Sequence, residues 1–249
     1  MNTKLQSTTE AAPSIDRAKL PRHVAVIMDG NGRWARKRAM PRIAGHRAGR
    51  HAVREVVRTA AELGVEALTL YTFSVENWKR PSYEVKALWF FLEEVLRTEF
   101  LELSENNIRL IATGDLRPIP EAARRALQNA REELSDNTGM VLNLAVSYGA
   151  RSEIVEAARR FAQEVAEGKR TPEELDDTLF SSYLYAPELP DPDLLIRTSG
   201  EMRLSNFLLW QLAYAELYVT ETLWPDFGRN EFLAAIADYQ RRERRFGGV

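Results

Sequence analysis

The run Val24–Met28 is five consecutive apolar residues with no polar alternation. A strand with one face in water alternates, so a continuous run belongs to a strand covered on both faces, as in a parallel sheet under helices. Comparable runs follow at Ala67–Phe73, Ile108–Ala112, Val141–Val146 and Leu194–Ile196, with Leu217–Val219 a weaker one. Helical periodicity fills the intervals: roughly Ala44–Leu63, Tyr83–Glu105, Glu121–Leu134, Ser152–Glu167 and Arg229–Arg244. Pro81-Ser82, Pro120-Glu121 and Thr171-Pro172-Glu173 mark helix starts. This alternation predicts an α/β fold with helices on both sides of a mainly parallel central sheet.

With 249 residues and no Pro/Gly/Ser-rich linker, the chain reads as one domain over residues 21–249 behind a flexible leader, residues 1–20. The net charge of −2 gives no reason to expect a nucleic-acid partner. Having no cysteine, the chain has no disulfide, thiolate nucleophile or thiolate-ligated metal. Its three histidines, His23, His46 and His51, form no HExxH pattern, which argues against zinc. No run approaches the length of a membrane span and the leader has no signal-peptide core, so the cytoplasm is the expected compartment, with peripheral membrane contact at most. One local imbalance stands out: from Arg33 to Arg58 there are nine Arg or Lys residues and one acid, Glu55. That is either a solvated helix face or a phosphate site.

Three polar clusters sit at the ends of the apolar runs. The first is Asp29-Gly30-Asn31-Gly32-Arg33-Trp34, followed by Arg42 and His46. A carboxylate at a strand's carboxyl end lies where open α/β sheets place ligands. The glycines leave backbone N–H groups open to an anion, and a carboxylate beside arginines suggests a divalent cation travelling with a phosphorylated ligand. The second is Phe73-Ser74-Val75-Glu76-Asn77-Trp78-Lys79-Arg80. Ser and Asn in turns usually satisfy local backbone groups, and only the position beside the first strand's end favours a functional reading. The third is Asp193–Asn206, in which Arg197, Arg203 and Ser205 suit a second diphosphate because guanidinium offers paired donors to phosphate oxygens. Glu216 follows as either a buried metal-associated carboxylate or an ordinary terminal residue, and the basic end Arg241–Gly248 either completes an anion site or frays. The segment Glu84–Leu96 carries a wide apolar arc including Trp89, Phe90 and Phe91, readable as core, a dimer face or the wall of an apolar pocket.

Taken together, His23–Trp34, Gly45-His46-Arg47-Ala48-Gly49, Phe73–Pro81, Asn137-Thr138-Gly139, Asp193–Asn206 and Arg241–Gly248 resemble the cis-prenyltransferases of the undecaprenyl diphosphate synthase family. The resemblance implies a single α/β domain, usually a homodimer, that extends an allylic diphosphate such as farnesyl diphosphate with isopentenyl diphosphate units and uses Mg2+. By position it implies a magnesium-linked, catalytic Asp29. Gly30, Asn31, Gly32, Arg33, Trp34 and Arg42 fall in the allylic-diphosphate region, with His46 near the reacting groups. Ser74 and Asn77 fall at the condensation and proton-removal step, supported by Trp78 and Arg80. Arg197, Arg203 and Ser205 fall in the isopentenyl-diphosphate pocket, and Glu216 is implied as a second magnesium carboxylate. Arg245 and Gly247 fit the family's ending, which reaches across the dimer.

The resemblance makes the Glu84–Glu105 helix one wall of an elongation tunnel, with Thr72 near its reacting end and Met140 at its far end. The expected product is undecaprenyl diphosphate, the bacterial cell-wall carrier lipid precursor, with a short- or medium-chain product as the alternative. Two readings from other classes are a magnesium-dependent phosphohydrolase built on Asp29, Asn31 and Arg33, and a non-catalytic partner or membrane-associated subunit. The first leaves two arginine clusters beside an apolar helix unexplained. The second sits poorly with Asp29, Arg197, Arg203 and Glu216 all being present.

Overall fold

The computed structural model describes residues 13–243. Six strands form one sheet: β1 (His23–Ile27), β2 (Ala67–Ser74), β3 (Arg109–Thr113), β4 (Val141–Tyr148), β5 (Leu194–Arg197) and β6 (Glu216–Val219). Their order is β3-β4-β2-β1-β5-β6, and every neighbouring pair is parallel. Seven helices make the crossovers and flanks: α1 (Asn31–Lys37), α2 (Arg42–Leu63), α3 (Ser82–Glu105), α4 (Glu121–Glu133), α5 (Ala150–Ala166), α6 (Asp177–Ser182) and α7 (Arg229–Gln240). The expected α/β architecture is therefore present, and all six apolar runs are strands. Two helices were not foreseen. Gly30-Asn31-Gly32 reads locally as a turn, yet α1 begins at Asn31, and α6 is only six residues long.

β1 lies between β2 and β5. From β1 the chain winds one way to β2, and from β4 it crosses to β5 on the other side. The crevice at the carboxyl end of β1 is thus the place where successive connections diverge, the usual ligand position in such sheets. Period-two alternation divides β1 between two cores: Val24 and Val26 face α2, α3, α4 and α7, while Ala25 and Ile27 face the Tyr148–Phe207 cluster.

β2 breaks this alternation in a useful way. Tyr71 aligns with Ala145 but Phe73 aligns with Val146, so Thr72 is an extra residue, and Ser147 compensates because Ser74 aligns with Tyr148. This bulge shifts the phase: Tyr71 packs with Phe207 on one face, while Phe73, two residues on, joins Trp78 and Trp89 on the other.

α1 and α2 meet backbone to backbone. A Cβ at Gly45 would stand 1.9 Å from the Asn31 carbonyl oxygen, and one at Gly49 would stand 2.5 Å from the Asn31 side chain. These two glycines, one helical turn apart, let Asn31 approach α2.

Within the expected leader, Asp16 and Arg17 are held. Gln240 of α7 donates to the Asp16 carbonyl at 2.7 Å, and Arg17 donates to the Glu62 carbonyl at 3.1 Å. Residues 1–12 and 244–249, which include Arg245 and Gly247, lie outside the described residues. Among the described residues no helix is long and apolar enough to cross a membrane.

Candidate active site

A cavity of about 720 Å³ opens at the carboxyl ends of β1 and β2 and runs between the sheet, α2 and α3. Its mouth is polar, with Asp29, Asn31, His46, Ser74, Asn77 and Arg80, joined by Arg197, Arg203 and Ser205. Its depth is apolar, with Val53, Leu88, Leu92, Val95 and Leu144. Nine of the residues singled out from sequence thus share one chamber. The aromatic trio on α3 divides: Phe91 and Trp89 line the cavity, while Phe90 is 62% exposed.

Asp29 is the second residue after β1. One carboxylate oxygen accepts from the Gly30 N–H at 2.7 Å and the other from Arg197 at 3.1 Å. Gly30 has φ 109°, a left-handed geometry that favours glycine. Its own N–H is taken by Asp29, whereas the first turn of α1 that follows carries no side-chain cap.

Arg197, the last residue of β5, is 4% exposed. It also donates to Ser205 Oγ at 2.8 Å and to the Arg203 carbonyl. The loop that brings these groups back carries Ser199, Ser205, Asn206 and Leu208 at positive φ. Several non-glycine residues in that region signal a conformation imposed by its surroundings. Part of the restraint is Tyr71, whose hydroxyl donates to the Ser205 carbonyl at 3.2 Å. Another part is Asn206, which donates to Glu76 at 2.9 Å.

The second cation group is built on an acid that sequence reading passed over. Glu84, 3% exposed on the first turn of α3, meets Arg80 at 2.9 Å, Arg42 at 3.2 Å and His46 Nε2 at 3.9 Å. The four-residue spacing from Arg80 to Glu84 was the available clue. Burial, with Arg80 and then Arg42 nearby, pushes the His46 pKa down to about 4. The Glu84 charge does not reverse this because it is committed to the two arginines. His46 is therefore a neutral imidazole at ordinary pH, and its Nε2 is buried without a hydrogen-bond partner. Burial and then the Arg42 charge also hold the Arg80 pKa below the usual guanidinium value.

Arg33 stands beside Asp29 at 3.8 Å and donates to Ser199 Oγ at 2.7 Å and Glu201 at 2.8 Å. Glu201 also pairs with Arg203, so one carboxylate holds a guanidinium from each arginine group. Asn77 accepts the Ser74 N–H at 3.2 Å, the local role expected of a turn asparagine, while both residues still line the cavity.

Other residues play supporting parts. Trp78 donates to Ser147 Oγ at 3.0 Å behind the wall. Trp34 donates to Asp226 at 2.7 Å under the Arg38 guanidinium and does not reach the cavity. Gly32 sits on α1 against the Arg42 side chain, where a Cβ would come within 3.2 Å. The basic run from Arg33 to Arg58 also divides. Arg33 pairs with Asp29 and Arg42 with Glu84, although neither lines the cavity, while Arg50, Arg54 and Arg58 pair with Glu94, Glu99 and Glu102 of α3.

Two residues singled out from sequence lie away from the cavity. Glu216 begins β6 opposite Leu194, three residues before the Arg197 end of the sheet, and binds Arg242 at 2.7 Å. Asp29 lies beyond that Arg197 end, two strands away, so the offset within one chain is on the order of 10 Å in each direction. Met140, expected at the cavity's far end, is 5% exposed inside the apolar core and does not line the cavity.

Among the described residues no group of three or more His, Cys, Asp or Glu could cage a metal. A lone carboxylate among arginines fits Mg2+ that brings most of its ligands as substrate phosphate and water.

The fold and site define a parallel α/β protein with two arginine groups around one carboxylate at the mouth of an apolar chamber. The Prenyltransf family model, described as "Putative undecaprenyl diphosphate synthase", matches residues 27–247, and the chain belongs to this family. It is 51% identical over 248 residues to an isoprenyl transferase of Heliobacterium mobile, covering 99% of this chain and 95% of that one. It is 52% identical over 247 residues to an isoprenyl transferase of Geobacillus kaustophilus, covering 99% and 96%. Among solved structures, lavandulyl diphosphate synthase from Lavandula x intermedia, in complex with dimethylallyl diphosphate, superposes with a TM-score of 0.91. That pair is 40% identical over 92% of this chain and 99% of the other. A "probable undecaprenyl diphosphate synthase" from Campylobacter jejuni superposes at 0.76 with 36% identity, over 91% and 98%.

Proposed function

We propose that the chain is a Mg2+-dependent cis-prenyltransferase that condenses isopentenyl diphosphate with an allylic diphosphate and makes a short- or medium-length prenyl diphosphate. The observation that carries this reading is one apolar chamber whose mouth presents two arginine groups on either side of Asp29. Arg42, Arg80 and Arg33, with His46 and Asn31, face the allylic diphosphate. Arg197, Arg203 and Ser205 face the isopentenyl diphosphate. The allylic carbon–oxygen bond breaks, its electron pair leaves on diphosphate, and the isopentenyl alkene forms the new carbon–carbon bond. The adduct then loses a proton. Fixed guanidinium donors offset the charge that gathers on the departing diphosphate. Mg2+, with Asp29 as its protein carboxylate, would add to that offset. Neutral His46 and a diphosphate oxygen are the available proton acceptors, because the Asn77 carboxamide is no base.

For product length, the resemblance to lavandulyl diphosphate synthase supports the shorter side. A homodimer completed by Arg245 and Gly247 belongs to this reading, supported by half-exposed Leu217 on the open edge strand β6. Peripheral membrane contact during product release is its last part, supported by exposed Phe90 and Leu101 on α3.

The test is incubation with labelled isopentenyl diphosphate and either dimethylallyl or farnesyl diphosphate, with and without Mg2+, followed by mass analysis. Prenyl diphosphates of a few added units, formed only with the ion, are expected. Hydrolysis without chain growth would replace this reading with a phosphohydrolase.

A further inference from the structure

One side of the chamber is closed by charge. Where α2 passes α3, the structure places a series of ion pairs: Arg50 with Glu94 at 3.3 Å, Arg50 and Arg54 each with Glu99 at 2.7 Å, and Arg58 with Glu102 at 2.6 Å. The first pair differs from the others in two ways. Arg50 and Glu94 both line the cavity, and theirs is longer than the two Glu99 contacts. Among the described residues the Glu94 carboxylate meets no other cation. One turn before Arg50 and Glu94, Arg47 stands 5.6 Å from the Phe91 ring, and these two residues also line the cavity.

A prenyl chain that outgrows the chamber has two ways to make room. Pushing through the floor means parting Leu92, Leu144 and the core behind them, which costs burial and packing. Pushing through the seam means parting Glu94 from Arg50, a partly exposed pair with side-chain exposures of 29% and 34%, while Arg50 keeps its hold on Glu99. Such pairs contribute little, because water solvates each charge once they separate. The seam is the weaker boundary, and it opens outward.

We propose that Arg50–Glu94, together with Arg47 over Phe91, is a latch on the chamber's side wall that sets product length, with longer chains leaving between α2 and α3. The latch rests on the chain-elongation reading above. It assigns length control to this pair in addition to the volume enclosed.

Product distributions of the full-length protein test it, using isopentenyl diphosphate and farnesyl diphosphate at low conversion and matched substrate ratio. Glu94→Arg places a like charge against Arg50 and should lengthen the dominant product by at least one five-carbon unit, with Glu94→Gln intermediate. Molar salt, whose screening length is about 3 Å, should lengthen the wild-type product but not that of Glu94→Arg. Because the chain is free of cysteine, Arg50→Cys with Glu94→Cys can be bridged by a bismaleimide. Bridged protein should add the first unit and stop at shorter products than the same protein left unbridged. Unchanged distributions in the charge variants and in bridged protein, with melting and first-unit addition intact, would overturn the latch. A wild-type chain that incorporates no isopentenyl unit overturns the elongation reading, and the latch with it.

Discussion

Arg197 donates to the Asp29 carboxylate at 3.1 Å, tying the last residue of β5 to the second residue after β1. The contact crosses the crevice between two neighbouring parallel strands, and it places the carboxylate between the two arginine groups. Asp29→Ala should lower turnover by about 100-fold or more, in line with losing a preorganised electrostatic group. The fold should survive, since Arg197 keeps its bonds to Ser205 Oγ and the Arg203 carbonyl. Circular dichroism and steady-state kinetics on one sample decide. Near-normal turnover in the folded variant would remove Asp29 from the chemistry.

Glu84→Gln preserves shape but leaves Arg42 and Arg80 facing each other without a counter-charge. The expected results are about a tenfold rise in KM for the allylic diphosphate and a stability loss of about 1–3 kcal/mol, moderated because Arg42 is half-exposed. The KM for isopentenyl diphosphate should hold. Equal shifts in both constants would mean that Glu84 supports the whole mouth and not one arginine group.

Gly45→Ala tests the seat of the Asp29 loop. The added methyl would fall 1.9 Å from the Asn31 carbonyl oxygen, which belongs to backbone and cannot rotate away. α1 must shift against α2, at a cost of about 1–3 kcal/mol typical of overpacking. Because Asn31 is two residues from Asp29, the shift should reach the site and lower kcat. Thermal melting and kinetics read the two effects, and an unchanged melting temperature would show that the helices separate freely.

Two buried histidines make stability depend on pH. His23 Nδ1–H donates to the Pro190 carbonyl at 2.6 Å, and its Nε2 accepts from Thr69 Oγ1 at 2.7 Å, which in turn accepts from Asn143. Burial lowers the pKa of His23, and it lowers that of His46 from 6.5 to about 4. The unfolded chain binds protons before the folded one, so this stability is complete above pH 6.5 and is lost as pH falls below it. Between about pH 7.5 and 5.5, His46 alone should cost about 1.4 kcal/mol, with His23 adding to it. Urea unfolding at the two values measures the sum, and coincident midpoints would mean that neither imidazole is buried neutral.

How much was legible in the sequence depended on whether the signal was local. The continuous apolar runs gave the strands because burial on both faces leaves no polar alternation, and Asp29 and Arg197 followed as polar residues at the ends of such runs. Ser74 and Asn77 were found for the same reason. Glu84 was passed over because a glutamate on a helix's first turn is ordinary, and only its burial against Arg42 and Arg80 makes it part of the site. The place of Glu216 at the start of β6 was not legible, because a motif gives a position along the chain but not the end of the sheet where that position falls. The bulge at Thr72 was invisible: β2 reads as an unbroken apolar strand, and the extra residue exists only relative to β4.

That bulge directs the last prediction. Thr72 lines the cavity, whereas Met140 is buried in the core away from it. Thr72→Leu adds apolar volume inside the chamber and should shorten the dominant product before it abolishes the first condensation. Met140→Ala removes core volume and should cost about 2–5 kcal/mol of stability, leaving product length unchanged. The two variants therefore move different observables. Mass analysis at low conversion and matched substrate ratio reads length, and denaturant unfolding reads stability. Longer products from a folded Met140→Ala protein would show that the chamber extends to Met140 when a chain is present.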